Sequence, residues 1–427
     1  MSTDKLSIGI AGAGIAGLTA GILLQEAGHT VQIFESRSKP GGRIQSLMVN
    51  GYLIEAGPEF VHGNSKETMR LLKKYQIPFE PANGKMYHAG DEGLTETHDV
   101  VAGWDKLLDK MKLLERDIPF AEFLIKNFPG NHFHELRKSA IRFAEGFDLA
   151  DIQLAGTRGL AREWAVEESG QYRIHGGYGT LIRSMEKEFN SLGGKILFQH
   201  VMETVVWHSD EIRVNVCGDH SFIMDKLVIS LPISMLNQSA PVREQLLFYP
   251  SLDIQQRAFV QIGFGTVIKI VMIWESVFWN ILVPGAQFIF SDCFIPTWWT
   301  PYPQDLPLLT GWLGGPAAAR LSNEPDEFFL EKALESLSSI FSVPVHELKN
   351  RLEEFRIFNW ENEPWSRGAY SYPRVESEQA KTVCRKSVDG RIYFAGEAFY
   401  EGPCPGTVEA AVISGLDAAR LLLTELK

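Results

Sequence analysis

Cysteine is scarce in this chain. Its four copies, Cys217, Cys293, Cys384 and Cys404, stand too far apart for a zinc pattern and are too few for a disulfide framework across 427 residues. They read as reduced thiols, so a reducing compartment, the cytoplasm, is expected, and no metal site is. Positive charge is also short: 41 Lys and Arg face 53 Asp and Glu, a net charge of −12. That balance argues against a nucleic-acid partner and mildly favours cationic ligands. No run reaches the roughly 18 uncharged apolar residues of a membrane-spanning helix, and internal repeats and low-complexity tracts are lacking. The stretch IGIAGAGIAGLTAGILL imitates a secretory leader, but little charge precedes it and a glycine pattern accounts for it better. The tail LDAARLLLTELK reads as an amphipathic helix with no anchor after it.

What is present is ordinary for a soluble globular protein, with 45% apolar and 22% charged residues. The length suggests two domains, or one with a large insertion. Monomer and homodimer both stay open.

The N-terminal stretch follows a recognisable order. An apolar run, Leu6–Ile10, leads into Gly12-Ala13-Gly14-Ile15-Ala16-Gly17, then a helical segment to Gly28, then the strand TVQIF closed by Glu35. In this arrangement the first glycine permits a tight turn, Gly14 lets the backbone approach a pyrophosphate, and Gly17 lets the helix pack on the sheet. The helix N-terminus faces the phosphates and Glu35 accepts from ribose hydroxyls. The dinucleotide is NAD or FAD on this ground alone. In SRSKPGGRI, Gly42 and Arg43 offer a second phosphate contact, or else a surface turn with a solvated arginine.

Residues 390–422 read as strand, loop and helix. The strand Arg391–Ala395 ends in Gly396-Glu397, and a helix begins near Thr407 and Val408. Ala411, Gly415, Ala418 and Ala419 share one helix face and permit a close neighbour. A third feature is Lys269, set in the β-branched run GTVIKIVMIW. A buried ammonium there requires a partner or water; the plain alternative is a lysine near a strand end that snorkels outward.

Seven segments occur in an order that resembles the flavin-containing amine oxidases: GAGIAGLTA, PGGRI, IEAGPEFVHG, RIHGGYGTLI, GTVIKI, NWENEPWSRGAYSYP and YFAGEAFYEGPCPGTVEAAVISG. The family holds monoamine, polyamine and L-amino-acid oxidases and histone lysine demethylases. The resemblance spans nearly the whole chain. It implies an α/β (α+β overall), two-domain, glutathione-reductase-like fold with a Rossmann-type βαβ unit and a substrate domain of mixed sheet plus helices. The FAD domain is expected from residues 1–85, 171–235 and 375–427, and the substrate domain from 86–170 and 236–374.

Carried over by position, Gly12, Gly14, Ala16, Gly17, Glu35, Gly42 and Arg43 hold the ADP half of FAD. Val201 meets adenine through its backbone. Gly396 and Glu397 face the ribityl–pyrophosphate region, and Thr407 and Val408 start the helix at the flavin ring. Lys269 matches the family lysine joined through one water to flavin N5. Trp360 matches a tryptophan beside it, and Tyr370 one wall of an aromatic cage that orients an amine. Ala369 stands where covalent members carry the linking cysteine, so FAD is expected to be non-covalent. Thr407 replaces the second cage aromatic, which leaves the cage half open. His62 either contacts the substrate amine or is a satisfied structural histidine.

The implied reaction is FAD-dependent oxidation of a small primary or secondary amine by O2, with polyamines slightly preferred over amino acids, yielding an imine or carbonyl product and H2O2. Arg162, Arg173 and Arg367 are the arginines left as carboxylate binders should the substrate be an amino acid. An amine dehydrogenase, a carbon–carbon desaturase, or a binding protein on the same fold without redox turnover are the rivals. The segment from Phe143 to Arg173 reads as helical and carries Glu145, Asp148, Glu167 and Glu168. With the aromatic stretch 291–303, it is a candidate substrate channel, though charge runs are usually solvated and aromatic clusters usually core.

Overall fold

The computed structural model describes residues 5–63, 65–90, 93–98, 100–166, 170–208, 211–237 and 245–426. Its first organising element is a five-stranded parallel sheet. In spatial order the strands are Lys195–Phe198, Thr30–Glu35, Ser7–Ala11, Lys226–Ile229 and Ile392–Phe394. Parallel sheets of this kind are covered on both faces, so both sets of alternate side chains are apolar. Ile8, Ile10, Val31, Ile33, Val228 and Tyr393 point to one core, which the helices Ile15–Glu26, Tyr178–Ser191 and Val408–Glu425 complete. Ala11, Phe34, Leu227, Ile229, Ile392 and Phe394 point to the other, filled by a four-stranded sheet and flanking helices. The small-residue face of the last helix meets the first helix closely. A Cβ on Gly415 would lie 2.4 Å from the Ala16 carbonyl oxygen.

The second element is a seven-stranded sheet in the order Leu352–Asn359, Val267–Trp274, Leu308–Gly314, Thr297–Trp299, Ala286–Ser291, Lys85–Gly90 and Gly93–Thr97. Val267–Trp274 lies antiparallel between its two neighbours and is buried at every position. The period of two sends Ile268, Ile270, Met272 and Trp274 into a core shared with the helix Asp326–Phe341. Val267, Val271 and Ile273 turn to the opposite face. Lys269 shares their parity.

Within the stretch expected to open the substrate domain, Leu246, Phe248, Leu252, Phe259 and Ile262 pack into the core beneath the parallel sheet. One expectation changes on folding. The stretch from Phe143 to Arg173 is not one helix. His134–Gly146 ends before Leu149, which takes φ +57°, and a new helix, Thr157–Trp164, starts after Gly156. Left-handed backbone cannot continue an α-helix. Glu167 and Glu168 lie outside the described residues. Among the described residues no helix is long and apolar enough to cross a membrane.

Candidate active site

One cavity of about 2010 Å³ runs from the glycine loop at the carboxyl end of the parallel sheet to the face of the large sheet that carries Lys269. Single small-ligand pockets occupy roughly 300–1,000 Å³. This one has room for a dinucleotide and a second molecule.

At the sheet end, the loop glycines divide their work. Gly14, at the N-cap of the first helix, has no atom within 4 Å of where a Cβ would sit, so its surface is bare to the cavity. A Cβ on Gly17 would instead lie 2.1 Å from the Gly12 carbonyl oxygen and 2.6 Å from Ser230 Oγ. That glycine seats the helix on the strand. Ala16 is buried in the first turn. Gly42 takes φ +61° beside Gly14, within a loop tied on by the Gly41 amide to the Ala13 carbonyl. Glu35 is buried, and its oxygens accept from the Ala13 and Arg37 amides at 2.8 and 2.9 Å. It therefore braces the loop as well as lining the cavity; Oε1 also takes the Ser36 hydroxyl at 3.2 Å, and Oε2 retains a lone pair for a ribose hydroxyl. The Val201 carbonyl accepts from the Cys217 amide, which leaves its own N–H as the group to offer a base.

Arg43 does not stand free beside the loop. Its Nη1 pairs with Glu397 at 2.8 Å and donates to the Ala369 carbonyl at 2.6 Å. Glu397 also accepts from Ser371 Oγ at 2.6 Å. The pair joins segments more than 350 residues apart and sets a neutralised unit on the cavity wall. Gly396 turns the chain at φ +143°, with its amide held by Ser414 Oγ. Thr407 caps the final helix: its Oγ1 accepts from the Ala410 amide, and Val408 is the first helical residue. This N-terminus and that of the first helix both open on the cavity, two positive ends suited to phosphate or to developing negative charge.

At the far end, Lys269 is 1% exposed. Its Nζ donates to Glu59 at 2.9 Å and to the Gly57 carbonyl at 3.2 Å, and lies 5.4 Å from the Trp299 ring centre. Sequence reasoning foresaw the buried lysine but not the counter-charge that lets it exist there. Glu59 also takes Arg173 Nη1 at 2.5 Å and Trp299 Nε1 at 3.0 Å. Burial works to raise the Glu59 pKa, but the charges of Lys269 and Arg173 outweigh it and hold the group at about 2. Nearby Glu55, which accepts from Ser46 Oγ and the Tyr178 amide, goes the other way: burial raises it to about 7 despite those bonds and the Lys269 charge.

Trp360 follows the strand Leu352–Asn359 and is buried, its indole donating to the Ala56 carbonyl at 3.0 Å. Tyr370 donates its hydroxyl to the Phe147 carbonyl at 2.5 Å. Burial first, then neighbouring Asp148, Glu163 and Glu397, raise its pKa well above the ordinary value, so it stays a neutral aromatic wall. His62 stands perpendicular to Phe147, with ring centres 6.2 Å apart, and tilts against Phe60 at 6.0 Å. Lys269, Trp360, Tyr370, His62 and Thr407 all line the one cavity.

The remaining candidates separate. Trp299 reaches the cavity, whereas Trp298, one residue earlier, faces the helix-covered core. Asp148 is buried and accepts from Trp164 Nε1 at 2.9 Å. Arg162 pairs with Glu378 in an exposed bridge. Arg173 donates to Glu59 and to the Thr300 and Tyr302 carbonyls, which occupies its guanidinium within the protein. Glu59 is the functional residue missed. The available signal was an acid after Gly57-Pro58 in the segment that leads to His62.

A family model described as flavin containing amine oxidoreductase matches residues 15–423. Among curated relatives, Lysine-specific histone demethylase 1 homolog 2 of Arabidopsis thaliana is 25% identical over 98% of this chain and 58% of its own length. Lysine-specific histone demethylase 1B of Mus musculus is 24% identical over 97% of this chain and 52% of its own. The chain thus spans about half the length of these demethylases. Polyamine oxidase 2 of Arabidopsis thaliana is 24% identical over 98% of this chain and 88% of its own length. Among solved structures, wild-type putrescine oxidase bound to putrescine superposes with TM-score 0.82 at 18% identity, covering 98% of this chain and 99% of that one. Cyclohexylamine oxidase from Brevibacterium oxydans IH-35A gives 0.82 at 17%, covering 99% of each.

Proposed function

This chain belongs to the flavin containing amine oxidoreductase family; from that membership we propose that it is an FAD-dependent oxidoreductase acting on CH–NH or CH–NH2 groups, and that it oxidises a small primary or secondary amine, monoamine or polyamine, with O2 as acceptor. The products are an imine, hydrolysed to a carbonyl compound, and H2O2. The observation that carries this reading is the continuity of the cavity. The dinucleotide cradle and the wall bearing Lys269 and Tyr370 belong to one space.

The residues present fit FAD. Gly14 and Gly42 offer bare backbone, two helix N-termini face the cavity, and Glu35 keeps acceptor capacity for ribose. When bound, FAD supplies the two-electron acceptor and the route of those electrons to oxygen. Ala369 offers no nucleophile at the position where covalent members carry cysteine, which supports non-covalent attachment.

The chain's own residues orient and shield. Tyr370 gives the amine one aromatic wall, Trp360 is packed beside the Lys269 strand, and the Tyr370 hydroxyl is held to the Phe147 carbonyl rather than offered as an acid. His62 is placed to meet the amine from the Phe60–Phe147 side. Engagement of Arg173 within the protein favours amines over amino acids, whose carboxylate needs a cation of its own. The polyamine oxidase relative supports polyamines among the amines to be tried.

Anaerobic mixing of the holoprotein with a panel of mono-, di- and polyamines, N-methylated lysine and free amino acids tests the proposal. An amine should bleach the flavin absorbance, and O2 should restore it with one H2O2 per amine. Bleaching by amino acids alone, or by none of the panel, overturns it.

A further inference from the structure

The carboxylate missed in the sequence is engaged through both of its oxygens. Glu59 Oε1 receives Arg173, and Oε2 receives both Lys269 and the Trp299 indole. These partners come from different parts of the fold: Lys269 and Trp299 from the large sheet, Arg173 from the strand Gln171–Ile174 paired to the Val61–His62 strand. Arg173 is itself fixed by two carbonyls and lies 4.4 Å over the Phe60 ring. Its geometry is rigid, and Glu59 inherits that rigidity.

Two roles are open to a carboxylate on the wall of an amine-binding cavity. It can receive the ammonium of a substrate, or it can hold a cation of the protein. With three protein donors already on its two oxygens, little acceptor capacity remains for a substrate. Among the described residues the Lys269 head, by contrast, has only Glu59 and a longer contact to the Gly57 carbonyl. Of the two, the carboxylate is the stronger anchor.

We propose that Glu59 is a positioning residue: it holds the Lys269 ammonium at one place in the cavity wall, so that a fixed positive charge faces the reacting region. This rests on the reading of the cavity as an FAD and amine site. There the charge would assist the return of two electrons and two protons from reduced cofactor to O2, giving H2O2, as negative charge develops on oxygen. Glu59 acts through Lys269 and touches no substrate.

A double-mutant cycle tests this. Glu59→Gln should slow reoxidation of the photoreduced flavin by O2 about ten-fold, and Glu59→Asp should recover part of the loss. In a Lys269→Met background, Glu59→Gln should change the rate by less than about two-fold, the signature of coupled residues. Equal losses in both backgrounds overturn the proposal and leave Glu59 a packing residue.

The second readout needs no turnover. In protein carrying 13C,15N-lysine, the Lys269 Cε–Nζ signals, assigned by their loss in Lys269→Met, should report an immobilised ammonium with slowly exchanging protons in the wild type. Glu59→Gln should shift them and speed that exchange. Signals unchanged by Glu59→Gln, or a wild-type ammonium in fast exchange, overturn the proposal. The wild-type measurement decides even if Glu59→Gln fails to fold. Photoreduction and NMR require no amine, so failure of the amine panel leaves this test standing.

Discussion

Two glycines three residues apart in the same fingerprint, Gly14 and Gly17, should respond to alanine in opposite ways. Gly14 has extended backbone, φ −71° and ψ 174°, and open space where a methyl would go. Alanine there stiffens the unfolded chain and makes a poorer N-cap, effects each under about 1 kcal/mol and opposite in sign. The apoprotein should melt within a degree or two of wild type. The methyl, however, projects into the space that a pyrophosphate must fill. Loss of even one charge-assisted hydrogen bond, about 1.5–3 kcal/mol, weakens FAD binding by about ten- to a hundred-fold. At Gly17 the methyl meets backbone at 2.1 Å and the Ser230 hydroxyl at 2.6 Å, and that hydroxyl is bonded to the Ala11 and Gly12 carbonyls. The helix must lift from the sheet, at a cost of about 1–3 kcal/mol or more. Thermal unfolding of stripped apoprotein separates stability from ligand linkage, and FAD titration followed by flavin fluorescence gives the affinity. Gly14→Ala that binds FAD like wild type would refute the placement of the pyrophosphate. Gly17→Ala as stable as wild type would refute the helix seating.

Other outcomes are equally open to measurement. Because burial raises Glu55 from an ordinary value near 4.5 to about 7, the fold favours its protonated form. Its stabilising contribution is complete below about pH 4.5 and is lost as pH rises to 7, roughly 3 kcal/mol in all. The difference in melting temperature between wild type and Glu55→Gln should therefore drift across that window, and parallel curves would contradict the assignment. Tyr370→Phe keeps the aromatic wall and loses one hydrogen bond, about 1 kcal/mol; it should retain most amine-dependent flavin reduction. Tyr370→Leu should lose it with FAD content unchanged, and equal rates in the two variants would count against the wall. Hot acid should release all flavin from the polypeptide, since Ala369 forms no thioether; colour left on the precipitated protein would contradict non-covalent binding.

Much of the nucleotide end was legible in the sequence because its determinants are local. Turn, helix start and closing acid of the glycine fingerprint fall within residues 12–35, and the close helix contact is visible as Gly415 among alanines. Arg43 was legible as a cation near the loop but not as the partner of Glu397, because that pairing joins distant segments. The acidic stretch around Asp148 was harder. Nothing in its composition shows that Leu149 adopts left-handed backbone and breaks the helix.

Lys269 shows the division most sharply. Strand periodicity and the β-branched run around it are properties of neighbours in the chain; they raised a buried cation against one that snorkels outward, and the resemblance to the family favoured the first. Which anion neutralises it depends on separation in space, and Glu59 lies 210 residues earlier. Only the packing of the segment after Gly57 against the large sheet brings the two within 2.9 Å, together with an arginine and an indole from elsewhere. Electrostatic partnership falls off with distance through the folded interior, not along the backbone, so the chemistry of the site became readable only when the sheets met.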